Sequence, residues 1–303
     1  TPMNPSPKDF QPFCLVLRPP LLNGNRTEAT ELFDQVIRNC PEVLQYSFAL
    51  YYISHNIGWF EPKETVQNWL GVLKADGSNF SHQVYGELLL IQYFQYQDEW
   101  SVQQILSHLS TQDSEAILCG LAHAANHLWG QRKCRAIATD ILYTLTSYNS
   151  DTTQKIIASV FRSNREHFKL EPGMRKLIQE ICKNQGVLIA AASDLIEMIE
   201  FERLTDHDPD LVVEVCQSLI GLGVELMNPA ESISLISDSL TTISIQLHRQ
   251  PAYREVGLEI FEQLLFLNLR ETRSALETLD RKPNRSDPYL FPRRRRRNRN
   301  LYR

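Results

Sequence analysis

The chain has 303 residues, of which 43% are hydrophobic, 9% aromatic and 22% charged, and its formal net charge is −5. That is the composition of a core-forming protein rather than a disordered one, and the length exceeds the usual single core, so two domains or one elongated array are expected. Six cysteines without a CxxC pair exclude a disulfide scaffold and the common zinc ribbons, and no apolar run approaches the roughly 20 residues a membrane span needs.

The chain opens at Thr1 in a polar, Pro-rich stretch that is neither an initiator Met nor a signal peptide, so a processed chain or a segment of something longer is expected. Residues 1–26 read as an extended lead-in: Phe13 to Leu17 suits a short strand, and Pro19-Pro20 forbids helix. From Thr27 the apolar period becomes helical, with Leu32, Phe33, Val36 and Ile37 on one stripe, and Pro41 opens a second helix at its first turn. Further helices are predicted from Glu64 to Leu73, stopped by Asp76-Gly77, then from Phe80 to Tyr96 and from Ser101 to Leu109. Ser114 caps the next, which ends near Trp129-Gly130. Lys133 to Thr146, Ser150 to Arg162, Met174 to Lys183 and Val187 to Ile199 follow. After the Asp206-His207-Asp208-Pro209 break come Asp210 to Leu226, Pro229 to His248, Tyr253 to Leu267 and Glu271 to Leu279.

Paired as hairpins, these helices start new units near Ala29, Glu64, Ser101, Lys133, Met174, Asp210 and Tyr253. Units of about 33 to 47 residues, each two helices and short turns, mark α-solenoids of the HEAT or TPR kind. The expected fold is therefore all-α: a right-handed solenoid of about seven hairpins over residues 27–280, with the extended lead-in before it and a basic tail after it. Neither the TPR consensus nor the ankyrin Thr-Pro-Leu-His occurs, so the array is a degenerate one.

That tail, residues 281–303, holds ten basic residues against Asp287 alone, a charge of +9, whereas the rest of the chain carries 21 basic and 35 acidic residues, or −14. An acidic body disfavours general nucleic-acid binding, because phosphate affinity rests on Lys and Arg. The tail is the exception: Arg293, Arg294, Arg295, Arg296, Arg297 and Arg299 repel one another, should be disordered unless bound, and suit nucleic acid or an acidic partner.

Signals for chemistry are few. Cys119, His123 and His127 share one helical stripe at i, i+4, i+8, the spacing of a weak metal site, yet Ala124 stands where a zinc protease has its Glu, and packing along a helix contact explains the same residues. No phosphate-cradling loop and no GxSxG elbow is present, and Gly221-Leu222-Gly223 lies inside an apolar helical run. No catalytic residue, cofactor or membrane contact is expected. Aromatic residues crowd the first third, and of these Tyr51, Tyr52, Trp59, Tyr93 and Tyr96 exceed what one buried stripe can hold, so some should face solvent as anchors for a protein partner.

One resemblance enters late in the chain. Pro251-Ala252-Tyr253-Arg254-Glu255-Val256-Gly257-Leu258-Glu259-Ile260-Phe261-Glu262-Gln263-Leu264-Leu265, with Arg270-Glu271-Thr272-Arg273-Ser274-Ala275-Leu276-Glu277-Thr278-Leu279-Asp280-Arg281, resembles the C-terminal end of large bacterial ATP-binding proteins. In these a HEAT-like helical array follows a P-loop NTPase core, as in antiviral STAND-type NTPases. The resemblance implies a cytoplasmic sensor or scaffold module of a multidomain defence NTPase with the ATPase elsewhere. This chain has no P-loop, so no ATPase residue is carried over. The competing expectation is a helical adaptor that holds nucleic acid through its arginine tail.

Overall fold

Caps and prolines in the sequence set where the helices start. In the computed structural model, residues 57–112, 114–164, 170–225, 236–267, 269–276 and 279 are described, together with Glu31, Gln35 and Asn39. Helix α1 (Lys63–Asp76) follows Pro62 and stops on Gly77, whose φ of 70° is the left-handed conformation a side chain resists. Helix α2 (Asn79–Tyr96) is capped by Ser78, whose Oγ accepts the Ser81 N–H at 3.1 Å, and α3 (Glu99–Thr111) by Asp98, which accepts the Ser101 N–H at 3.0 Å. Ser114 caps α4 (Glu115–Trp129) as the sequence suggested, its Oγ 3.4 Å from the Ile117 nitrogen.

The later helices are α5 (Arg135–Thr146), α6 (Asp151–Ala158), α7 (Pro172–Lys183), α8 (Gln185–Glu202), α9 (Pro209–Glu225), α10 (Ser237–His248), α11 (Arg254–Phe266) and α12 (Arg270–Ala275). Pro172 and Pro209 sit at the first helical position, where no N–H is missed. The helix expected from Ser150 to Arg162 breaks at Ser159, whose hydroxyl donates to the Ile156 carbonyl at 2.8 Å, and resumes as Val160–Ser163. No strand occurs among the described residues. The lead-in with its strand, the two helices after Thr27 and the basic tail lie outside the described residues.

Two compact units divide the chain, residues 1–128 and 129–303. Within the second, the odd-numbered helices form one row, α5 on α7, α7 on α9 and α9 on α11. The even-numbered helices form another, α6 on α8, α8 on α10 and α10 on α12. Burial follows the rows. Odd helices bury a single stripe: Met174, Leu177, Ile178 and Ile181 in α7, each worth about 1.5–3 kcal/mol when taken out of water. Among the even helices of this unit α10 is the most enclosed, buried from Leu240 to Ile245 without interruption.

Both units share one period. The odd helices begin at Lys63, Glu99, Arg135, Pro172 and Pro209, successive starts being 36 or 37 residues apart, and α11 follows at Arg254 after a longer interval. Side chains from neighbouring hairpins meet at nearly that separation: Gln179 Nε2 of α7 donates to Glu214 Oε2 of α9 at 2.8 Å, 35 residues on. Within the α1–α2 hairpin, Tyr96 Oη donates to the Glu61 carbonyl at 2.8 Å and closes its open end. Buried Arg135 lies over the Trp129 ring, 4.7 Å from its centroid, donates from Nε to the Trp129 carbonyl, and reaches Glu171, 36 residues on, at 3.1 Å.

In the first unit α2 packs against α1 and α3, and it meets α4 backbone to backbone. A β-carbon on Gly86 would fall onto the Ile117 carbonyl oxygen, and one on Gly120 onto the Gln83 carbonyl oxygen. These two glycines allow an approach no other residue permits.

Candidate recognition surface

The α2–α4 crossing decides the fate of the candidate metal stripe. Cys119 turns into the core, 5% exposed. His123, on the same stripe, is 51% exposed, and its Nδ1 lies 3.0 Å from Oε1 of the buried Glu87, the neighbour of Gly86. The hydrogen bond that His123 donates to the Glu87 carboxylate holds the imidazole above its ordinary pKa despite partial burial, which acts the other way. His127 is exposed one turn on. Among the described residues no group of three or more His, Cys, Asp or Glu side chains is placed to hold a metal ion, and His123 instead pairs with Glu87 across the α2–α4 contact.

The aromatic candidates separate by position. Tyr51 and Tyr52 lie outside the described residues. Trp59 is half-buried, and its carbonyl accepts from Gln95 Nε2 at 3.0 Å. Tyr93 is also half-buried, its ring 5.6 Å from that of Phe94 and tilted 53°. Tyr96 is 38% exposed, and Phe60, which belonged to the aromatic cluster but not to the expected anchors, is 51% exposed. The bonds from Gln95 to Trp59 and from Tyr96 to Glu61 tie the end of α2 to the turn Gly58–Phe60, so Phe60 and Tyr96 belong to one surface.

Carboxylates flank that surface. Burial raises the pKa of the Tyr96 phenol, and the charges of Glu64 and Glu61 raise it further, so it stays a neutral donor at physiological pH. Two aromatic rings beside Glu61 and the exposed Glu64 make a surface suited to cationic side chains, which gain both a carboxylate and an aromatic face.

The framework beneath is polar and paired. Burial pushes the Asp98 carboxyl up, but bonds from Ser101 and Gln92 and the charge of Lys63, 3.9 Å away, outweigh it and hold the carboxyl below its usual range. Arg293, Arg294, Arg295, Arg296, Arg297 and Arg299 lie outside the described residues. Among those residues no helix is long and apolar enough to cross a membrane. The chain matches no family model, no curated protein and no solved structure.

Proposed function

We propose that this chain is a helical-repeat recognition module, an α-solenoid of HEAT- or TPR-like hairpins that binds a protein partner through the surface around Phe60 and Tyr96. The repeat reading rests on one observation: odd helices start 36 or 37 residues apart, and side chains bridge α5 to the start of α7 and α7 to α9 at separations of 36 and 35 residues. Hairpins that contact only their sequence neighbours make an extensible array, and such arrays bind partners along their surfaces. The partner-facing segment is basic, because exposed aromatic rings beside Glu61 and Glu64 favour arginine or lysine. The resemblance of residues 251–281 supports a place as the sensor end of a multidomain defence NTPase.

A photo-crosslinking residue at position 60 tests this in native extract. The reading expects a discrete adduct that is lost on Glu64→Lys and absent when the crosslinker replaces the exposed Lys155. Equal adducts at both positions would overturn it.

The charge of the tail favours a second reading, a nucleic-acid adaptor. It expects duplex DNA or RNA binding that weakens steeply between roughly 50 and 200 mM salt and disappears in a chain ending at Asp280.

A further inference from the structure

In the second unit the odd-numbered helices pack against one another along a row. In the first unit the corresponding helices are α1 and α3. Between them opens a cleft of about 330 Å³, lined by Gln67, Leu70, Gly71 and Lys74 of α1, Tyr85 of α2 and Trp100 of α3. Gly71 leaves it open: a β-carbon there would meet nothing within 4 Å. Leu70 and Tyr85, each 1% exposed, form the inner wall, and the 41% exposed Trp100 forms one side.

Three polar groups surround this apolar space. The Tyr85 hydroxyl is buried with no hydrogen-bond partner among the described residues, an arrangement that costs about 1–3 kcal/mol and that an acceptor would relieve. Burial keeps that phenol protonated and hence a donor, and the Tyr85 ring is set edge-on against His108, 5.7 Å between centroids. At the rim stand the exposed amide of Gln67 and the exposed ammonium of Lys74, one turn to either side of Gly71. Flat apolar walls of this size suit one ring system, and a single cation at the lip suits one negative charge.

We propose that this cleft binds a planar aromatic molecule bearing one carboxylate, with the ring between Leu70 and Trp100 and the carboxylate at Lys74. This stands on the cleft alone and is independent of partner binding at Phe60.

Calorimetric titration of the full chain with 2-naphthoate, and with neutral 2-naphthamide, tests it. The expected result is saturable one-to-one binding of 2-naphthoate. Gly71→Leu fills the cleft and should weaken binding more than about tenfold while the melting temperature holds or rises. Lys74→Gln should weaken 2-naphthoate about three- to fivefold and leave 2-naphthamide unchanged, the size of effect a rim charge supports. No saturable binding to the native chain, undiminished binding by Gly71→Leu, or equal affinity for acid and amide would overturn the assignment.

Discussion

Glycine has opposite meanings at three places in the first unit, and only neighbouring atoms tell them apart. At Gly86 and Gly120 the missing β-carbon is the space another helix backbone occupies, so alanine must push α2 and α4 apart. Gly86→Ala and Gly120→Ala should each cost about 1–3 kcal/mol or more in denaturant unfolding. Gly71→Ala adds a methyl group to open space on a helix and should instead gain about 0.5–1 kcal/mol. A common sign for all three would show that the crossing is not as close as described. The ion pair beside the crossing carries a pH signature. Because the folded-state pKa of His123 lies above its unfolded value, the pair's contribution is complete below the ordinary histidine pKa and is lost as pH rises through the raised one. Thermal melts of the native chain should therefore lose stability from about pH 6 upward, by an increment that His123→Gln and Glu87→Gln each abolish. An unchanged pH profile in either variant would remove the pair from the account.

Helix ends show how much the sequence disclosed. Gly77, Ser114, Pro172 and Pro209 mark boundaries by chemistry any chain would obey, and the corresponding helices begin or end within three residues of expectation. The apolar pattern starts α3 at Ser101, but the helix begins at Glu99, because the Asp98 carboxylate turns back to cap the Ser101 N–H. Among the described residues three helices end on a left-handed residue that is not glycine: Gln97, after α2, has φ 49°, Gln112, after α3, φ 50°, and Arg203, after α8, φ 52°. A side chain in that conformation is strained by about 1–2 kcal/mol, so Gln97→Gly and Arg203→Gly should raise stability by about 0.5–1 kcal/mol, the glycine's extra freedom in the unfolded chain offsetting part of the gain. Chemical denaturation of each variant measures it, and destabilisation would show that the Gln97 or Arg203 side chain contributes more than its strain costs. The candidate surface was legible only in part for a related reason. An aromatic cluster is written in the sequence, but whether Tyr93 or Phe60 faces outward depends on which neighbouring helix covers it, and local spacing does not carry that information. The buried roles of Arg135 and Glu87 are not written in local sequence, because a charged residue in an amphipathic helix reads as solvent-facing and its partner here stands 36 residues away.

At the scale of the whole molecule, two architectures predict different responses to the removal of one hairpin. In a non-repetitive bundle each helix has unique neighbours, so excising two of them leaves faces that fit nothing. In an array, α5 meets α7 much as α7 meets α9, and the second-row contacts of α6, α8 and α10 advance in step. Polar bridges advance with them: the carboxylate of Glu171, just before α7, receives Arg135 of α5, and that of Asp208, just before α9, receives Arg175 of α7 at 3.3 Å. Deleting residues 172–208 removes one period and joins Glu171 directly to Pro209, so α9 inherits the acidic lead-in that α7 had and its stripe of Leu211, Val212, Val215, Cys216 and Leu219 turns to α5. That shortened chain should keep its helicity per residue and unfold in a single cooperative step at lower temperature, because nearest-neighbour interfaces set the stability of such arrays. Deleting residues 172–189, half a period, brings an even-row sequence into the odd row and should abolish cooperative melting by circular dichroism. Equal collapse of both deletions would point to the bundle. Survival of the full-period deletion alone would show that the 36- to 37-residue spacing is the unit in which this fold is built.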